Sequence, residues 1–319
     1  MGIFYNYCKH NTRLTSHLFY NNILVSGAEN IPQGKPILLV ANHPNSFLDA
    51  IVIGAAINRP TYFLARGDAF NNKYAFPILI SLNMLPVYRL SEGKENLNKN
   101  ADTFDACHQI LEKKETVLIF SEGISFNNWD LRPLKKGPAR VAKKAWASKD
   151  AGDLVIIPVG LTYEHFNGAG KNILINIGPA FYKEDFNAED LEATFVKKFN
   201  EKISNAFEKL AYVNPQLTEG TADYASFRKR FQFAVNKKMN AMDALTYLKG
   251  EETPNIQISD RKFILNSLLF APVYFLSTWL TPKIVKQKLF FDSISFGLVM
   301  FLWPVYIVLL GYLIACLVN

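Results

Sequence analysis

Residues 41–50 read ANHPNSFLDA, with five residues between His43 and Asp49. The stretch follows PILLV (36–40), a short unbroken apolar run of the kind that forms a buried strand. Ligand sites in α/β sheets lie just beyond the carboxyl ends of strands, which is where His43 falls. Asn45 or Ser46 suits the cap of a helix starting near Phe47. Asp49 then stands in the first helical turn, within reach of the imidazole. A carboxylate there fixes the tautomer and stabilises the imidazolium, so the neutral ring can take a proton from a hydroxyl. No serine or cysteine stands at a fixed spacing as a nucleophile, which suggests direct transfer rather than a covalent intermediate. The competing reading is a helix-capping Asp49 beside an ordinary loop histidine, so other stretches must decide.

Three further stretches carry candidates. IFSEGISFNNWDLRPLKKGPARVAKKA (119–145) brings a strand end into Ser121, Glu122 and Gly123. A glycine after a strand lets the backbone approach a ligand, and Glu122 beside it can hold a polyol hydroxyl. Arg132, Lys135, Lys136 and Arg140 follow within nine residues, either as an anion site or as a solvated basic face. LNMLPVYR (82–89) ends in Arg89, a forked phosphate ligand or a surface arginine at a strand end. In VIIPVGLTY (155–163), Pro158 predicts an edge or bulged strand. That strand is either a plain core element or the wall of an acyl-chain tunnel.

The elements that must position these residues alternate in type. Apolar β-rich runs at 36–40, 61–65, 116–120, 154–163 and 173–178 predict strands. Segments near 48–57, 68–82, 94–113 and 137–147 predict helices. This alternation predicts a layered α/β domain over 26–190, with an amphipathic helix over 1–25, a helical extension over 191–250 and a linker over 251–262. In the first helix Ile3, Tyr7, Leu14 and Leu18 share a face that suits either a membrane surface or docking on the domain. With 319 residues, 49% of them hydrophobic, the chain can bury a sizeable core. The net charge of +7 favours an anionic partner. Cys8, Cys107 and Cys316 make no metal spacing or disulfide framework. The first residues lack the apolar core of a signal peptide. Basic residues without interleaved aromatics at a module spacing argue against nucleic-acid binding.

The last section, 263–319, predicts a membrane hairpin of two hydrophobic helices. FILNSLLFAPVYFLSTWLT (263–281) and ISFGLVMFLWPVYIVLLGYLIACLV (294–318) carry no charge, and as helices run roughly 28 and 37 Å. Two full spans would place PKIVKQKLFFDS, with Lys283, Lys286 and Lys288, across the membrane from a basic domain. The positive-inside tendency opposes that arrangement. A re-entrant hairpin, bent at Pro272 and Pro304, removes the conflict.

Taken in order, the four chemical stretches resemble the motifs of the glycerolipid acyltransferase superfamily, which includes the lysophosphatidate acyltransferases. NHPNSFLD resembles its histidine–aspartate motif, MLPVYR its arginine motif, FSEG its Phe-Pro-Glu-Gly motif and IIPVGL the fourth; the resemblance covers about residues 20–190. Two features depart from the common pattern. The His–Asp spacing is five residues rather than four, and Ile124-Ser125-Phe126 stands where Thr-Arg-Ser is common. Both departures, with LRPLKKGPAR, resemble the branch of fungal-type glycerol-3-phosphate and dihydroxyacetone-phosphate acyltransferases and their bacterial relatives.

The resemblance implies that His43 is the general base and that Asp49 orients it. Arg89, Glu122, Gly123, Ser125, Arg132 and Lys135 then bind substrate, with the Gly123 N–H helping at the oxyanion. It implies acyl transfer from acyl-CoA or an acyl carrier protein to lysophosphatidate or glycerol-3-phosphate, with no cofactor and no metal. A phospholipid membrane is the implied partner, and a bacterial inner membrane with the domain facing the cytoplasm the implied location. Another lysolipid or an amino-acid lipid as acceptor, and a non-catalytic membrane-tethered lipid-binding protein, are the alternatives.

Overall fold

The computed structural model describes residues 2–88, 99–187, 189–250, 252–256, 268–285 and 287–318. The apolar runs form one mixed sheet of seven strands in the order β1-β7-β6-β2-β5-β3-β4. These strands are β1 (Tyr20–Ser26), β2 (Ile37–Ala41), β3 (Thr61–Arg66), β4 (Met84–Val87), β5 (Thr116–Phe120), β6 (Val155–Tyr163) and β7 (Lys171–Ile177). β2 lies parallel between β5 and β6, in register from Ile37 opposite Thr116 and Val155. β7 runs antiparallel to β6, and β1 runs parallel to β7.

Every residue of β2 is fully buried, because helices cover both faces of the sheet. Ile37, Leu39 and Ala41 point into one core. That core also holds α1 (Ile3–Phe19), α2 (Phe47–Ala56), α7 (Ala222–Asn236), α8 (Ala241–Lys249), α9 (Ala271–Ile284) and the start of α10 (Phe291–Val318). Leu38 and Val40 point into the other, under α4 (Lys99–Glu112), α5 (Gly137–Trp146) and α6 (Glu192–Leu210). An unbroken apolar strand is the sequence form of this double covering. The remaining helix, α3 (Ala75–Ser81), follows a short 3-10 turn at Gly67–Asn71.

Three places give detail beyond the sequence expectations. The N-terminal helix expected over 1–25 ends at Phe19, and the chain continues as β1. YNNILVS has too many polar residues to read as a strand locally. Its polar side chains are satisfied across the sheet, Asn22 by Asn172 and Ser26 by Asn176. The helical extension over 191–250 packs on the domain: Phe195, Phe199, Ile203 and Phe207 of α6 share a core with Leu38 and Val40. Pro158 lies in the interior of the sheet, not at an edge. Beside β7 it falls between an isolated bridge of Ile156 with Phe181 and the ladder that begins at Val159.

The C-terminal hairpin also has a particular orientation. α9 and α10 pack on each other, and their turn faces the α/β domain, with Phe290 under the Arg66 guanidinium and Asp292 paired to Lys171 of β7. The turn therefore packs on the α/β domain rather than pointing away from it. The stretch Lys288–Leu317 is long and apolar enough to cross a membrane by length and composition. The 14 residues of α9 rise only roughly 21 Å, short of the hydrocarbon thickness. The first apolar residues expected in that helix, 263–267, lie outside the described residues.

Gly160 in β6 tests the packing of α6 on the sheet. A Cβ there would fall 2.4 Å from the backbone carbon and oxygen of Leu210. Gly160→Ala should lower stability by about 1–3 kcal/mol, read as a lower thermal midpoint of the full-length protein in detergent.

Candidate active site

The loop after β2 and the loop after β5 meet at the carboxyl ends of these adjacent parallel strands. Asn42 replaces a further strand residue: its side-chain amide donates to the Leu161 carbonyl at 3.1 Å and accepts from the Leu161 N–H at 2.7 Å. That two-way bond fixes where the chain leaves the sheet. His43 follows, its ring stacked on Phe120 at 4.0 Å between centroids and 11° between planes.

His43 Nδ1 lies 2.9 Å from Asp49 Oδ2. A carboxylate only accepts, so Nδ1 carries the hydrogen and Nε2 keeps its lone pair. Asp49 stands in the first turn of α2 and is fully buried. The same Oδ2 accepts the Asn45 N–H at 2.8 Å. Burial pushes the Asp49 carboxyl above the usual range, while the His43 hydrogen bond and charge and the Asn45 N–H pull it back.

Ser46 occupies the N-cap position of α2, yet neither it nor Asn45 caps the helix through its side chain. Ser46 has φ 55° and ψ −141°, a conformation unfavourable for a residue with a Cβ. Its N–H donates to Ser125 Oγ at 2.6 Å. The cap on Leu48 N–H comes from far along the chain, from Ser293 Oγ at 3.1 Å at the start of α10. Asn45 Nδ2 donates to Asp292 at 3.0 Å. Asp292 also accepts the Gly168 N–H at 2.7 Å and pairs with Lys171, both charges being fully buried. No local sequence pattern points to these long-range partners. One signal existed: Asp292 is the last charged residue of the chain, set just before a long uncharged run.

Glu122 is turned inward. Its two oxygens accept the His43 N–H at 3.0 Å and the Arg132 N–H at 3.2 Å. The carboxylate thereby clips the two loops together, where the sequence reading gave it an acceptor hydroxyl to hold. Burial pushes the Glu122 carboxyl up to about 7. Gly123 has φ +70°, and a Cβ there would meet Lys135 Cγ at 3.1 Å. Its N–H donates to the Phe120 carbonyl at 3.2 Å, so that hydrogen is already used within a turn rather than presented to an oxyanion. Ser125 braces Ser46, as above. The Arg132 guanidinium lies over the Phe126 ring, 4.5 Å from its centroid, and reaches Asp130 at 3.4 Å. Lys135 is exposed beside Gly123. Arg140 pairs with Glu192 at the start of α6. Arg89 lies outside the described residues. His43, Asp49, Glu122, Gly123, Ser125, Arg132 and Lys135 thus gather at one end of the sheet, and Arg66, unremarked in the sequence, ends β3 at the same end.

An apolar cavity of about 140 Å³ adjoins this loop. It runs beside α2 from Phe47, with Phe4 of α1, Ile78 and Leu82 near α3, and Phe301 of α10 in its walls.

Residues 22–162 match the family model described as Acyltransferase. This segment is similar to the acyltransferase family. The acyltransferase segment runs from within β1 to the end of β6 and includes His43, Asp49 and both loops described above. Lys171 and α10 lie beyond it. Over 160 residues, half of this chain, the sequence is 27% identical to a 1-acyl-sn-glycerol-3-phosphate acyltransferase of Borreliella burgdorferi. The chain spans 58% of that relative's length. The crystal structure of the 1-acyl-sn-glycerophosphate (LPA) acyltransferase of Thermotoga maritima superposes with a TM-score of 0.44 at 18% identity, over 65% of this chain and 79% of that one.

The Glu122 environment makes a pH-dependent contribution with a definite sign. Its native value near 7 lies above the ordinary 4.5, so between these pH values the native state holds a proton that the unfolded state has lost. This term lowers stability as pH rises through that window and is absent below it. Glu122→Gln should remove the slope. In urea unfolding at pH 4.5 and pH 8, the wild type should lose on the order of 3 kcal/mol more than the variant.

Proposed function

We propose that this chain is a membrane-associated O-acyltransferase that moves a fatty acyl group from a thioester to a hydroxyl of a glycerol phosphate acceptor. His43 Nε2 takes the proton of the acceptor hydroxyl, and the oxygen attacks the thioester carbonyl. The C–S bond breaks, an ester forms, and the imidazolium returns its proton to the departing thiolate. Asp49 holds the ring by Nδ1 and offsets the positive charge it gains. The observation that carries this reading is the 2.9 Å bond from His43 to the fully buried Asp49, which fixes Nε2 as the basic nitrogen at a strand end. Arg132, Lys135 and Arg66 near that end suit the acceptor phosphate. The cavity beginning at Phe47 suits the fatty chain.

Acyl-CoA or an acyl carrier protein is the donor, and lysophosphatidate or glycerol-3-phosphate the acceptor. The exposed apolar half of α10, from Phe301 to Leu317, supports attachment to a bilayer. The basic balance of the chain favours an anionic leaflet on the cytoplasmic side of a bacterial inner membrane.

The test is a transfer assay on the full-length protein in detergent. Labelled long-chain acyl-CoA, and separately a labelled acyl carrier protein, is offered with glycerol-3-phosphate, lysophosphatidate and a neutral lysolipid. Transfer to a phosphate acceptor is expected, falling by about 10²–10⁴-fold in His43→Ala and by a comparable factor in Asp49→Asn. Transfer to the neutral lysolipid alone would keep the base and change the acceptor. No transfer from either donor, or full activity in His43→Ala, would contradict the reading.

A further inference from the structure

The turn that carries His43 cannot hold its shape by local bonds alone. Ser46 sits at φ 55°, and such a conformation persists only where the surroundings over-determine it. Three side chains from distant parts of the chain do so. Ser125 Oγ takes the Ser46 N–H, Ser293 Oγ takes the Leu48 N–H, and Asp292 takes the Asn45 side-chain amide. Two of the three belong to the first residues of α10.

Asn45 is the link that matters. Its backbone N–H donates to Asp49 Oδ2, the atom that holds His43, and its side chain donates to Asp292. Asp292 is in turn fixed by Lys171 and the Gly168 N–H. A continuous buried path therefore runs from β7 through the start of α10 to the imidazole. The same helix continues outward into the apolar stretch exposed beyond Phe301. Its buried part ends near Val299, and its contact with α1 reaches the half-buried Trp303, whose indole N–H donates to Asn11 Oδ1 at 2.9 Å.

We propose that Asp292 and Ser293 are positioning residues for the His43–Asp49 pair, so that the seating of α10 on the domain sets the geometry of the active site. The apolar helix is then a working part of the site as well as an attachment. This rests on the reading of His43 as the base. Asp292, Ser293 and Lys171 all lie outside residues 22–162, the segment that matches the acyltransferase family. The coupling is thus built from parts this chain adds to that segment.

The experiment uses the full-length protein in detergent micelles, labelled with ¹⁵N-histidine. The variants are Asp292→Asn, Ser293→Ala and the double variant Lys171→Met with Asp292→Leu, which removes both buried charges together. Leu313→Ala, at the exposed far end of α10, is the control. The readouts are the His43 Nδ1 proton signal, kcat and KM for acyl transfer, and the thermal midpoint.

Asp292→Asn and the double variant should weaken or broaden the Nδ1 signal. Their kcat should fall on the order of 10²-fold, with KM little changed. Ser293→Ala should move both readouts the same way by less, and Leu313→Ala should move neither. If Asp292→Asn fails to fold, the double variant and Ser293→Ala carry the test. An unchanged Nδ1 signal and kcat in folded double variant and in Ser293→Ala would overturn the proposal. A wild type that shows the Nδ1 signal without turnover would overturn the acyl-transfer reading alone, and the positioning claim is then decided by the signal in the variants.

Discussion

A carboxylate removed from water must be met by donors, and Asp49 is fully buried at the amino end of α2. It finds two donors on one oxygen, the His43 ring and the Asn45 N–H. Meeting that demand forces the chain between residues 43 and 49 into a tight turn. The turn in turn leaves the N–H groups of Ser46 and Leu48 to be satisfied elsewhere. Much of the surrounding architecture serves these bonds: the β5 loop supplies Ser125 and Glu122, and α10 supplies Ser293 and Asp292.

The helix α10 joins two environments. Its first turns lie in the same core as Phe19, Tyr20 and the sheet, with Phe296 and Val299 buried there. Its distal half exposes Phe301, Val308, Tyr312 and Leu317. A helix apolar all round belongs in a hydrophobic medium, while the charge of Asp292 is tolerated only where Lys171 neutralises it. This distribution explains why the hairpin turn faces the domain. Turned the other way, Asp292 would lose Lys171, the Gly168 N–H and Asn45 together.

The sequence carried the sheet and the reactive pair more legibly than the links between them. β2, β5 and β6 are unbroken apolar runs, so their double covering is written in their own residues. His43 and Asp49 lie on either side of one helix start, so their meeting follows from local geometry. β1 was hidden because Asn22 and Ser26 read as polar loop until Asn172 and Asn176 are placed beside them. The roles of Glu122 and the Gly123 N–H were hidden for a related reason. Residue type shows what a group can bond but not which backbone partner has already claimed it. The partnership of Lys171 with Asp292 spans 121 residues, and no periodicity reaches that far. The motif arginine, Arg89, falls outside the described residues.

The central claim is that buried side chains from β5 and α10 hold the 43–49 turn rigid. Amide hydrogen exchange of the full-length protein in detergent measures that rigidity directly. The account predicts that the Asn45, Ser46, Leu48 and Asp49 amides exchange as slowly as those of β2. Exchange as fast as that of the exposed residues 218–220 would contradict it, because a loop that opens freely cannot keep His43 on Asp49.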